Sequence, residues 1–126
     1  MNQSVSTYRD LVAWQRGVAF SLDVYRATTA FPRSEKFGLV SQLRRAAVSI
    51  PSNIAEGYGR GKTNDYSRFL RVARGSLYEV ETQLTIAEQL GYLGEQTFRE
   101  LESIAKELGR ILAGLIRSIE NTSQTR

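Results

Sequence analysis

The sequence predicts an all-α fold, an up-down-up-down antiparallel four-helix bundle. Three features lead there. Apolar residues recur at steps of three and four in four successive stretches, only two prolines interrupt the 126 residues, and no stretch alternates apolar with polar side chains as a half-buried strand would. The length suits one domain spanning residues 1–126.

The first helix is expected over about 8–29, with Thr7 as its N-cap. Leu11, Trp14, Val18, Leu22 and Tyr25 mark one face of it, and Phe20, Val24 and Ala27 form a second apolar line. Phe31-Pro32 stops the helix, because the residue before a proline is pushed out of helical geometry.

The second helix is expected over about 34–58, with Leu39, Leu43, Ala46, Ile50, Ile54 and Gly57 as its seam. Pro51 falls inside this pattern. It removes a backbone N–H and crowds the carbonyl of Ala47, which costs ~3 kcal/mol or more in an ordinary helix interior. The stripe keeps its phase across the proline, so one helix kinked at Pro51 is preferred to two. A glycine-punctuated turn follows, with Thr63 as the expected cap of a third helix over about 64–90. There Tyr66, Leu70, Ala73, Leu77, Val80, Leu84 and Ala87 form a heptad seam. A fourth helix over about 95–120 repeats it with Phe98, Leu101, Ala105, Leu108, Leu112, Leu115 and Ile119, and a polar tail, 121–126, is expected to fray. Ile104, Ile111 and Ile116 widen this last stripe. They are the candidate oligomer contacts, set against simple deep burial of the helix.

Composition excludes more than it selects. The chain contains no histidine and no cysteine. Disulfides, thiolate chemistry, serine triads and the histidine-containing di-metal sites of bundles are therefore ruled out. The expectation is a non-enzymatic protein with no catalytic residues, no cofactor, no metal and no small-molecule substrate. No secretory leader and no run of 18 apolar residues can be read, so a cytoplasmic protein without a membrane span is expected. The segment 57–63 ends in Gly-Lys-Thr, but Glu56 stands where a phosphate loop needs glycine and a helix precedes where it needs a strand. Glu79 and Glu81, two apart on a helix, point in different directions and make no acid/base pair.

Two polar constellations remain. Gln42, Arg45, Ser49, Asn53, Glu56 and Arg60 lie along one side of the second helix. The favoured reading is a structural network joining Gln42, Arg45, Asn53, Glu56 and Glu79 that fixes helix register, and the alternative is a ligand groove. The second constellation is basic. Net charge is +4, yet residues 44–74 alone carry seven basic and two acidic groups, and 14 of the 17 basic residues are arginine. Arg60, Lys62, Arg68, Arg71 and Arg74, interleaved with tyrosines, are the candidate nucleic-acid contacts, because arginine forks phosphate and rings stack on unpaired bases. Solvated helix faces with arginines in ion pairs are the alternative.

The segment Asp10-Leu11-Val12-Ala13-Trp14-Gln15, the stretch 38–57 with its Ser49-Ile50-Pro51-Ser52-Asn53-Ile54-Ala55-Glu56-Gly57, and Gly75-Ser76-Leu77-Tyr78-Glu79-Val80-Glu81 closely resemble four-helix-bundle proteins encoded in intervening sequences of bacterial 23S rRNA genes. A more distant similarity is to the accessory variability protein of diversity-generating retroelements. The resemblance implies a homopentamer whose role involves nucleic acid, supports a kinked second helix, and brings no catalytic residues. The function expected is a homo-oligomeric basic module for RNA or DNA; the alternative is an adaptor for an acidic protein partner.

Overall fold

The computed structural model describes the backbone of residues 4–124 and the side-chain surroundings of 4–122. Four long helices form it: α1 (Val12–Thr28), α2 (Leu39–Arg60), α3 (Thr63–Gln89) and α4 (Glu95–Gln124). There is no strand among the described residues. Each helix packs on its neighbour in the chain, α4 closes against α1, and among the described residues the diagonal pairs make no close backbone approach. That is the expected up-down-up-down bundle.

The helix ends differ from the sequence expectation for local reasons. Thr7 does cap, but it caps a 3-10 turn at Tyr8–Asp10, accepting from the Arg9 N–H while the Asp10 carboxylate accepts from the N–H of Ser6 and Thr7. Leu11 is extended (ψ 127°), so α1 starts only at Val12. A second 3-10 turn at Arg33–Glu35 delays α2 to Leu39, whose N–H is taken by the Glu35 carboxylate at 3.0 Å. Gly61 ends α2 with φ +78°, a conformation glycine adopts without strain. Lys62, and not Thr63, is the N-cap of α3. The fourth helix runs on through 121–124, where fraying was expected, while 125 and 126 lie outside the described residues.

Three of the four seams are buried as read, centred on Leu43, Ile50 and Ile54 of α2, Leu70, Leu77 and Leu84 of α3, and Leu108 and Leu112 of α4. The first helix is different. Its core line is Ala13, Gly17, Phe20, Ser21, Val24 and Thr28, whereas Leu22, from the expected seam, is 49% exposed and Tyr25 is exposed too. The line taken as secondary, Phe20 and Val24, faces the core, together with small residues that hydropathy does not flag.

That small-residue face exists because of Pro51. The α2 helix passes through Pro51 unbroken. The missing N–H leaves the Ala47 carbonyl without its helical donor. The Ser21 hydroxyl, buried on α1, donates to that carbonyl at 2.9 Å. It also lies 3.0 Å from the Gly17 carbonyl, but Gly17 already accepts within its own helix, so the hydroxyl proton belongs with Ala47. Gly17 stands against the proline ring: a Cβ there would sit 3.4 Å from Pro51 Cβ and Cδ.

Glycine also sets the approach of α2 to α3. A Cβ on Gly57 would fall 2.7 Å from Phe69 Cβ and 3.3 Å from the Tyr66 backbone oxygen. Gly57→Ala should therefore destabilise the fold by roughly 1–3 kcal/mol by overpacking, despite alanine's better helix propensity. Leu77→Ala and Leu108→Ala should each cost ~2–5 kcal/mol, and Leu22→Ala well under ~1 kcal/mol. Urea unfolding of the four variants checks the order; a costly Leu22→Ala would mean α1 presents the other face.

Candidate nucleic-acid interface and polar cleft

The basic constellation gathers at the end of the bundle where α2 turns into α3. Arg60, at the end of α2, and Arg68, on α3, lie over the same Phe69 ring at 5.1 and 4.8 Å. Tyr58 and Tyr66 meet edge-on beside them, ring centroids 5.9 Å apart. Each of these two arginines also has an acidic neighbour on its own helix: Arg60 with Glu56 at 3.0 Å and Arg68 with Asp65 at 3.7 Å. Arg71 reaches across to α4 and bonds Glu120 at 2.5 Å, with Ser67 donating to the same carboxylate at 2.6 Å. Arg74 adds its charge nearby. Lys62 makes no ion pair among the described residues. Five basic groups thus face three carboxylates, and the pairs are solvent-exposed, a class worth little each.

Lys62 precedes the first turn of α3 and no side chain caps that turn, so its first N–H groups point outward unpaired. Beside it opens a depression of ≈ 380 Å³ lined by Tyr58, Lys62, Thr63 and Tyr66. The Tyr66 hydroxyl is buried without a partner, and burial, with Tyr58 adding to it, pushes its pKa up to about 12. The exposed Lys62 and the uncapped amides offer what a phosphate oxygen accepts, with the unpaired Tyr66 hydroxyl buried behind them.

The second constellation is only partly as expected. Asn53 donates to the Ser49 carbonyl (2.8 Å) and to the Ser49 hydroxyl (2.9 Å), and Ser49 Oγ meets Ser76 Oγ of α3 at 2.8 Å. Gln83 Nε2 approaches Gln42 Oε1 at 3.5 Å. Among the described residues no ion pair joins Arg45 to Glu56 or Glu79; Glu56 turns along its own helix to Arg60. Arg45 and Glu79 instead line a cleft of ≈ 410 Å³ between α2 and α3, with the serine pair and Gln83 also in its lining. Ser76 and Gln83 were missed by the sequence reading; each stands one residue before a seam leucine (Leu77, Leu84), two turns apart on one face of α3, and that spacing was the available signal.

The candidate interface isoleucines separate. Ile104 is 39% exposed and Ile111 is half-buried against the core, but Ile116 is only 3% exposed and packs in the chain's own interior. Ile116 is therefore not available to a neighbouring subunit. Arg44 is likewise spent internally, its Nε donating to Thr28 and its guanidinium lying 4.6 Å over the Tyr25 ring.

A small antiparallel helical bundle with a basic end and a polar interhelical cleft is the class these features define. The chain belongs to the 23S rRNA-intervening sequence protein family, whose model matches residues 9–114. No curated protein matches it. Among solved structures it is similar to a protein of unknown function from the S23 ribosomal protein family of Bacteroides thetaiotaomicron, at 19% identity and a TM-score of 0.75, over 83% of this chain and 98% of that one. At that identity the likeness speaks to the fold. No helix is long and apolar enough to cross a membrane, and no metal-holding group of three or more acidic side chains occurs, both among the described residues.

The Ser67 and Arg71 bonds hold the Glu120 carboxyl below the ordinary carboxylate range, and the Ser6 and Thr7 amides do the same for Asp10. A carboxyl whose folded pKa is depressed contributes stability above its unfolded pKa and loses it as pH falls through the folded one. Stability should thus decline on acidification from about pH 5 downward, and Glu120→Gln should flatten part of that limb. Urea midpoints measured in steps from pH 7 to 3 test this; an unchanged acid limb in the variant would place the sensitivity elsewhere.

Proposed function

We propose that the chain is a non-catalytic, homo-oligomeric module that binds nucleic acid through the α2–α3 end of the bundle. The observation that carries this reading is the pairing of Lys62, unpaired beside the uncapped start of α3, with the partnerless Tyr66 hydroxyl in one depression. Arg60 and Arg68 stand over Phe69 next to it, and Arg68 and Arg71 share a further open depression. The acidic partners of these arginines are exposed, so phosphates can displace them at small cost. The family's description, tied to intervening sequences of 23S rRNA, agrees with this direction.

Assembly would multiply a modest monomer patch. The apolar face of α1 that points away from the core, with Leu22 exposed and Val18 beside it by helical spacing, supports subunit contact better than the buried end of α4, with Ile104 as a further exposed apolar residue. The family resemblance favours a pentamer. Leu22→Glu should dissociate subunits without loss of helicity, whereas Ile116→Glu should unfold the chain; light scattering and circular dichroism distinguish them. A wild-type mass equal to one chain at micromolar concentration removes the assembly claim.

Binding should be largely independent of sequence, with log affinity falling against log salt by ~0.7–0.9 per phosphate contacted. Changing Arg68 and Arg71 together to Gln should flatten that slope. Glu120→Gln, which releases Arg71 and Arg74, should tighten binding. If salt titration finds no affinity for RNA or DNA at low salt, the arginines serve ion pairs or an acidic protein partner instead.

A further inference from the structure

The cleft between α2 and α3 holds a combination of groups that the fold does not require. Arg45 and Glu79 line it with opposite charges, yet neither has an ion-pair or hydrogen-bond partner among the described residues. Elsewhere this bundle pairs such groups readily, along helices (Arg60–Glu56, Arg99–Glu95) and between them (Arg71–Glu120, Arg16–Glu107). In the same cleft the Gln83 Oε1 is buried and accepts nothing. The Ser49–Ser76 hydroxyl pair lies among its lining, and at its rim stands Phe37, 88% exposed, with the Lys36 ammonium 5.4 Å over its ring. The buried Gln83 acceptor is costly to leave unpaired, while Arg45 and Glu79, exposed and unpaired, are free to meet a ligand of complementary edges.

We propose that this cleft takes a guanine base. A carboxylate wants two adjacent N–H donors, and a guanidinium wants two adjacent acceptors. Among the four RNA bases only guanine presents both: its N1–H and N2 amine suit Glu79, and its O6 and N7 suit the Arg45 fork. Adenine and cytosine would turn a ring-nitrogen lone pair toward the carboxylate, and uracil would flank its single N–H with two carbonyl oxygens. Phe37, with Lys36 beside it, is a stacking platform of the kind that captures unpaired bases. The volume, ≈ 410 Å³, is at the small end of ligand sites and accommodates one purine. The inference rests on the nucleic-acid reading for its source of ligand, an unpaired guanine in a single strand; a free guanosine nucleotide offers the same edges.

The two sources and the underlying reading separate in one set of measurements. Fluorescence anisotropy compares RNA octamers of uridine with a single central guanosine, inosine or adenosine, and amide chemical-shift mapping follows guanosine monophosphate. The guanosine octamer should bind on the order of tenfold more tightly than the adenosine one, with inosine, which lacks the N2 amine, in between. Glu79→Gln and Arg45→Gln should each erase that preference while all-uridine binding persists. Both side chains are exposed and unpaired, so the fold survives their loss. Phe37→Ala, in an exposed turn, should weaken guanosine binding alone. If the octamers bind without guanosine preference, or the preference survives both variants, the cleft assignment is overturned and the basic-end reading stands. If guanosine monophosphate shifts Ser49, Ser76 and Gln83 while no octamer binds, the cleft assignment stands with the free nucleotide as ligand and the nucleic-acid reading fails. If neither RNA nor nucleotide binds, both fail.

Discussion

The arrangement of the bundle depends on how α2 survives a proline in its middle. Pro51 removes one amide and leaves the Ala47 carbonyl stranded in an apolar interior, where an unpaired acceptor costs roughly 1–3 kcal/mol. A serine from another helix meets it: Ser21 on α1 donates at 2.9 Å, and Gly17, one turn earlier, leaves room for the pyrrolidine ring. This single joint fixes which face of α1 turns inward. It draws Gly17, Ser21 and Ala13 to the core and leaves Leu22 and Tyr25 in solvent.

With α1 and α2 locked in that register, the other side of α2 faces α3 through equally small residues. Ser49 meets Ser76 and Gly57 lies against Phe69, and among the described residues the α2–α3 contact is the most extensive. The near approach at Gly57 brings the following turn, and with it Lys62, against the Tyr58–Tyr66 pair. Farther along, Ser49 and Ser76, each next to a buried seam residue, bring polar atoms to the interhelical face where the cleft opens. The basic end and the cleft are therefore two consequences of one tightly packed helix pair. They lie about four turns of α2 apart, ~22 Å at 1.5 Å per residue between Arg45 and Arg60.

Much of this was legible from periodicity. The α3 seam from Tyr66 to Ala87 and the α2 seam across Pro51 follow the three-and-four spacing, and both are buried as that spacing demands. The first helix was not legible in the same way, because hydropathy ranks Leu22 and Tyr25 above Gly17, Ser21 and Thr28. The residues that face inward are chosen by shape and by a stranded carbonyl on another helix, neither of which a single helix's sequence displays. The five basic candidates share one segment of sequence, but their carboxylate partners were only half visible. Glu56 and Asp65 lie three or four residues away on the same helix, whereas Glu120 comes from the other end of the chain. In the Arg45–Glu56–Glu79 set a local partner, Arg60, takes Glu56, while Arg45 and Glu79 line the cleft.

The joint between α1 and α2 is tested most directly by a double-mutant cycle on Ser21→Ala and Pro51→Ala, with unfolding free energies from urea titration. Ser21→Ala alone should cost about 1–3 kcal/mol, since it strands the Ala47 carbonyl. In the Pro51→Ala background residue 51 regains its N–H and donates to that carbonyl itself. The same serine substitution should then cost much less, giving a coupling of at least ~0.5 kcal/mol. Losses that add to within ~0.3 kcal/mol would contradict the account, because Ser21 would then be stabilising α1 for reasons unconnected with the proline.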